Sequence, residues 1–133
     1  MWLRTTADYD SLPTLSADEE ATPMVFAQDF RHVELNIFSS SVTTGYTLSV
    51  FSSDQEARPI LTSAVSATNK YSLIQVTNKN TWANVTGTAG IVVTANGLLK
   101  FEINDNKSRW YGVRITTHAD GICAATFNMA DNS

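Results

Sequence analysis

Residues 98–129 constrain the fold more than any other part of the chain. Three segments there, LLKFEI, RWYGVRITT and ICAATFNM, alternate apolar and polar residues with a period of two. Successive side chains of a strand point to opposite sides of a sheet, so this period marks strands with one buried face. Two polar turns, Asn104-Asp105-Asn106-Lys107 and His118-Ala119-Asp120-Gly121, join the segments. The pattern predicts a C-terminal meander of three consecutive strands.

The same reading predicts strands over 25–30, 33–37, 46–51, 71–76, 81–85 and 91–94, with Trp82 anchoring the short 81–85 segment. Pro59 opens a weak edge segment around Ile60 and Leu61, where a missing N–H is tolerable. Asn96-Gly97 lies between apolar runs, which is the strongest short signal for a hairpin. No long helix and no internal repeat is visible. About eight to ten strands at this spacing predict an all-β fold, an antiparallel β-sandwich or jelly roll. Its expected core is Val33, Leu35, Ile37, Leu48, Val50, Leu73, Leu99, Phe101, Ile103, Val113, Ile115 and Phe127.

Residues 1–23 differ from the rest and predict an extended N-terminal arm ahead of a sandwich domain over 24–133. Pro13, Pro23 and the acidic Asp18-Glu19-Glu20 run prevent a sustained period. Trp2, Leu3, Tyr9, Leu12 and Leu15 would leave apolar groups in water if the arm were free. The arm is therefore expected to lie on its own sandwich or on a neighbouring subunit.

Composition narrows the function classes. Charged residues make up 17% of the chain and the net charge is −4, and the low charge suits a surface that packs against other protein. The nine basic residues are scattered, which argues against nucleic-acid binding by phosphate neutralisation and against a basic membrane-surface helix. No stretch approaches the ~20 apolar residues of a membrane-spanning helix. The N-terminus lacks the apolar core of a signal peptide, so synthesis in a cytosol without export is expected. The sequons at Asn84 and Asn106 read as chance matches in Thr/Asn-rich turns.

The candidate chemistry is sparse. His32 and His118 have no metal-ligand spacing, and Asp54, Glu102, Asp105 and Asp120 lie in or near turns, where backbone chemistry alone favours them. The expectation is no enzyme, no catalytic residue, no metal and no cofactor. Cys123 shares the parity of Ala125 and Phe127 and reads as a buried, inert thiol. In the strand around Trp110, the face with Tyr111, Val113 and Ile115 reads as core. Trp110 and Arg114 share the opposite side, a common anchor pair at protein interfaces. Packing under the arm and a sugar-binding platform are the competing readings for Trp110. The candidate interaction residues are thus Trp2, Leu3, Tyr9, Leu12, Trp110 and Arg114.

The segments Asn-Thr-Trp-Ala-Asn-Val, Asn-Gly-Leu-Leu-Lys-Phe-Glu-Ile and Ser-Arg-Trp-Tyr-Gly-Val-Arg-Ile-Thr-Thr, all within 80–129, carry a resemblance. This stretch resembles small β-sandwich structural proteins of tailed bacteriophage particles, including head decoration (cement) proteins. A similar strand order occurs in discoidin-like and carbohydrate-binding jelly rolls. The resemblance implies a non-enzymatic virion protein that binds and stabilises the head lattice. The implied partners are the major capsid protein or other virion proteins, in a homo-oligomeric or lattice-bound state. The implied location is the virion, after synthesis in the host cytoplasm. The alternatives are another phage component, such as a head fibre, collar or tail protein, and a carbohydrate-binding jelly-roll module. No site residue is carried over from these families.

Overall fold

The computed structural model describes residues 6–9, 12–28, 30–82, 84–85, 90–103 and 107–130. Eleven strands form among them: β1 (Thr6–Tyr9), β2 (Val25–Phe26), β3 (His32–Ser40), β4 (Tyr46–Ser53), β5 (Ser72–Leu73), β6 (Val76–Asn78), β7 (Asn84–Val85), β8 (Ile91–Val93), β9 (Gly97–Ile103), β10 (Trp110–His118) and β11 (Ile122–Ala130). The fold is an all-β sandwich of two antiparallel sheets, with no helix among the described residues. One sheet runs β1-β11-β3-β9-β6-β7. The other runs β2-β10-β4-β5, and β8 pairs with the half of β4 that β5 leaves open.

Alternation becomes burial most cleanly in β3 and β11. Val33, Leu35 and Ile37 point inward from one, and Cys123, Ala125, Phe127 and Met129 from the other. From the second sheet they meet Leu48, Val50, Val113 and Ile115, so the core is the seam between two inner faces. Nine of the twelve expected core residues are fully buried, and Leu99 and Ile103 pack against them half-buried. Leu73 is the exception, at 43% exposed: it lies in register with the outward-facing Phe51 and so points to the outer side, while its neighbour Ile74 packs against the core.

The expected meander does not form. β9 and β11 lie in one sheet with β3 between them, while β10 lies in the other sheet between β2 and β4. The Asn96-Gly97 turn likewise makes no hairpin, because β8 and β9 belong to different sheets. The Asn96 side chain accepts from the Val42 N–H, and Gly97 (φ 132°) supplies the left-handed backbone at the crossing. Period two says which face of a strand is apolar. It carries no information on which strand lies alongside, and here nearly every connection crosses between the sheets.

Other boundaries move for local reasons. The strand expected over 25–30 stops at Phe26, where Ala27 turns and accepts from the Phe30 N–H. The 71–76 segment divides into β5 and β6, which serve opposite sheets. Residues 59–61 form no edge strand but lead into a turn closed by the Ser63 N–H on the Ile60 carbonyl. Trp82 sits at φ 58° and is exposed, so it anchors no core among the described residues.

Residues 6–9 and 12–27, which lack a period of their own, run along one side of the sandwich. β1 pairs with the end of β11, and Leu15 exchanges backbone hydrogen bonds with Cys123 further along the same strand. The chain then crosses to β10. Glu19 donates to Ile115, which donates back to Glu20, and Thr22 exchanges bonds with Val113 before β2 pairs at Trp110 and Tyr111. Each sheet thus finds its last partner in one continuous segment. Leu15 sits in the main core, with Tyr9 and Leu12 packed half-buried against it. Trp2 and Leu3 lie outside the described residues.

Candidate interaction surface

Apolar doublets locate the surfaces. A half-buried strand needs one apolar residue in two, so two adjacent apolar residues send one side chain to the outer face. β4 carries Val50-Phe51 and β10 carries Trp110-Tyr111; β3 carries Ile37-Phe38, β9 Leu98-Leu99 and β11 Ile122-Cys123.

On β4 and β10 the outward members are covered, whereas Val92 on β8 and Leu73 on β5 stay exposed on the same side. Phe51 and Trp110 join Met24 and Leu61 in a second small core between the sheet and the 54–71 loop. Phe26 meets the Trp110 ring edge-on at 5.2 Å, and the Trp110 indole N–H donates to the Gln55 carbonyl at 2.8 Å. Gly112 permits this close roof, since a Cβ there would lie 2.8 Å from the Leu61 methyl. Arg114 clamps the loop down. Its guanidinium donates to the Leu61 carbonyl and to the Tyr71 hydroxyl and lies 4.7 Å from the Phe51 ring centre. Trp110 and Arg114 therefore share the outer side, as their parity requires, but Trp110 is only 8% exposed. Gln55 and Arg58 of the 54–71 loop and Phe26 of β2 contact it, and Ala21 from the segment over 1–23 packs against the same small core.

In the β3 sheet the outward members stay open. Phe38 lies in register between Leu98 on β9 and Ala124 on β11, and Ile122 is one pleat away on β11. Phe38 is 48% exposed, Leu98 51% and Ile122 39%. Directly opposed side chains on neighbouring strands stand about 5 Å apart, so Phe38 and Leu98 form one apolar row. A polar band follows along the strands. Asn36 donates to Asn128 at 2.6 Å, and Lys79 pairs with Glu34 at 2.7 Å, a bond that raises the lysine pKa. The alternation of apolar residues does not point to this row, because Phe38 and Leu98 adjoin residues that it assigns to the core. The doublets are the signal that does.

Several titratable side chains are tied into the fold. Asp120 accepts backbone N–H bonds from Thr43, Thr44 and Gly45, which together lower its pKa and tie the β10–β11 turn to the β3–β4 turn. His118 is half-buried at the end of β10, not a solvated turn residue. Its ring lies 2.8 Å from the Gly121 carbonyl and stacks near Tyr46. His32 is at the far end of β3, opposite Ala130. No cluster of three or more His, Cys, Asp or Glu with metal-site spacing occurs among the described residues. Asp105 lies outside them. Cys123 is fully buried beside Tyr46, whose hydroxyl also bonds Ser39. Burial pushes the thiol up to about 11 and raises the Tyr46 hydroxyl as well.

No protein-family model matches this chain, and no curated protein matches it. Among solved structures, the crystal structure of SPBc2 prophage-derived protein YomS is similar, with a TM-score of 0.66. The similarity covers 98% of this chain and 96% of that one, at 8% sequence identity. What the two chains share at this identity is the fold, and they share it from end to end.

Proposed function

We propose that this chain is a non-enzymatic structural protein of a bacteriophage particle, docking through the outer face of its β3 sheet. The observation that carries the reading is the end-to-end likeness of fold to a prophage-derived protein. The open row of Phe38, Leu98 and Ile122 supports it from this chain's own residues. Within the particle, the role that best fits is decoration of the head lattice, with the major capsid protein as partner.

The magnitudes favour a preassembled partner. Each half-exposed side chain contributes roughly 1 kcal/mol when covered. Three of them fall short of the ~4–15 kcal/mol lost in freezing two free bodies together. A lattice that presents many identical sites and further polar contacts can supply the difference.

The test uses phage particles produced from the genome that encodes the chain. The native chain is expected in purified particles at a fixed copy number. A Phe38→Ser/Leu98→Ser variant is expected to fold and to be lost from them. A chain absent from particles overturns the phage-particle reading. A variant retained at native copy number overturns the docking face.

A further inference from the structure

The end of the 54–71 loop and the start of β5 enclose an open groove of about 670 Å³. Asp54, Gln55, Thr68, Lys70, Tyr71 and Ser72 are among the residues that line it. Its walls are held from behind. Ser53 Oγ donates to the Lys70 carbonyl, the Lys70 N–H donates to Gln55 Oε1 at 2.8 Å, and the Gln55 carbonyl accepts from buried Trp110. Asn69 bonds through its side chain to Ile60, Ser63 and Ala64. Tyr71 is pinned through its hydroxyl to the Ser63 carbonyl at 2.6 Å. A cleft fixed in this way loses little freedom when a ligand enters, which is the condition for useful affinity from a few contacts.

Its chemistry narrows the ligand. Asp54 brings an acceptor-only carboxylate, Lys70 a donor-only ammonium, and the Thr68 and Ser72 hydroxyls can do either. One acid and one base give the lining no net charge, so it favours neither a strong anion nor a strong cation. Ala57, Ala67 and the Tyr71 ring contribute to a lining that is as much apolar as polar. No deep apolar socket is present for a peptide anchor. The neighbouring β5 edge is two residues long, too short to add a peptide strand with more than a bond or two. A volume in the ~300–1,000 Å³ range suits a ligand of drug size.

We propose that this groove binds a neutral saccharide, with Asp54 and Lys70 reading ring hydroxyls and Tyr71 meeting a C–H face. The site lies beside the 54–71 loop, away from the Phe38 row, so it stands whether or not the docking face is correct.

The experiment is a titration of the ¹⁵N-labelled full chain, followed by amide NMR, with maltotriose, cellotriose and chitotriose, and with trigalacturonate as the anionic comparator. At least one neutral trisaccharide is expected to shift amides within 52–57 and 67–72, saturating on a ~1 mM scale. Asp54→Ala is expected to weaken that binding at least ~10-fold while leaving amides outside the groove in place. Phe38→Ser is expected to bind as the native chain does. No shift from any neutral trisaccharide up to about 20 mM overturns the proposal. So do shifts confined to other regions, or binding that Asp54→Ala leaves intact. A response to trigalacturonate alone, abolished by ~0.5 M salt, overturns the neutral class and makes the groove an anion site.

Discussion

On the outer face of the β10 sheet, Phe51 and Trp110 pack beneath the 54–71 loop; on the outer face of the β3 sheet, Phe38 and Leu98 stand half-exposed. Both pairs arise from the same local device, an apolar doublet in a strand. The difference comes from the connections. The link from β4 to β5 returns to the same sheet through a long loop, and that loop has Leu61 to offer and Arg114 to hold it. The strands flanking β3 are joined mainly by links that cross between sheets, and among the described residues Phe38, Leu98 and Ile122 stay open on its outer face. An outward aromatic side chain thus serves folding on one face and remains available for contact on the other.

The sharpest break in this comparison is Trp110→Ala. It should cost ~3–5 kcal/mol of folding stability, because it empties the small core and removes a buried hydrogen bond. Urea unfolding measures it. A loss under ~1 kcal/mol would mean that the loop is a loose cover and that the two faces differ little.

Alkali tests the layer that both faces share. The Cys123 thiol is raised from 9.0 to about 11 on folding. A raised acid is favoured in its neutral form, so its contribution is complete below pH 9 and is lost as pH climbs toward 11. At ~1.4 kcal/mol per unit, that amounts to roughly 2–3 kcal/mol, and Tyr46 acts in the same direction. Stability flat between pH 8 and pH 11 would contradict this burial. For the same reason, thiol reagents should label Cys123 far more slowly in the native chain than in denaturant.

Arg114→Ala should cost about 1.5–3 kcal/mol, the scale of a hydrogen bond from a charged donor to a buried carbonyl. Proteolysis should then cut within 54–71 before any other part of the sandwich opens. Cleavage elsewhere first would show that Arg114 does not hold the roof.

The smallest expected effect is on the open face. Phe38→Ser should change folding stability by no more than ~0.5 kcal/mol, as for surface positions without special contacts. A loss near that of Trp110→Ala would show that the β3 face is covered in solution, for instance by a second copy, and gel filtration would reveal it.

Much of this fold is legible in the order of the residues alone. The inward residues of β3, β9, β10 and β11 follow from period two, and Cys123 follows from its parity with Phe127. The doublets carry the outward residues as well, once Ile37-Phe38 and Trp110-Tyr111 are read as pairs. These are local facts, set by the alternation of side chains along an extended backbone. Tertiary structure decided which strand pairs with which. The Asn96-Gly97 turn and the three C-terminal strands each cross between sheets, and alternation is blind to that choice. It also decided where residues 6–9 and 12–27 lie, because a segment without a period takes its place from the edges left open on β11 and β10. Finally, it decided that Trp110 is core and Phe38 is surface. Both are aromatic side chains on an outward pleat, and only a loop distant in sequence separates their fates.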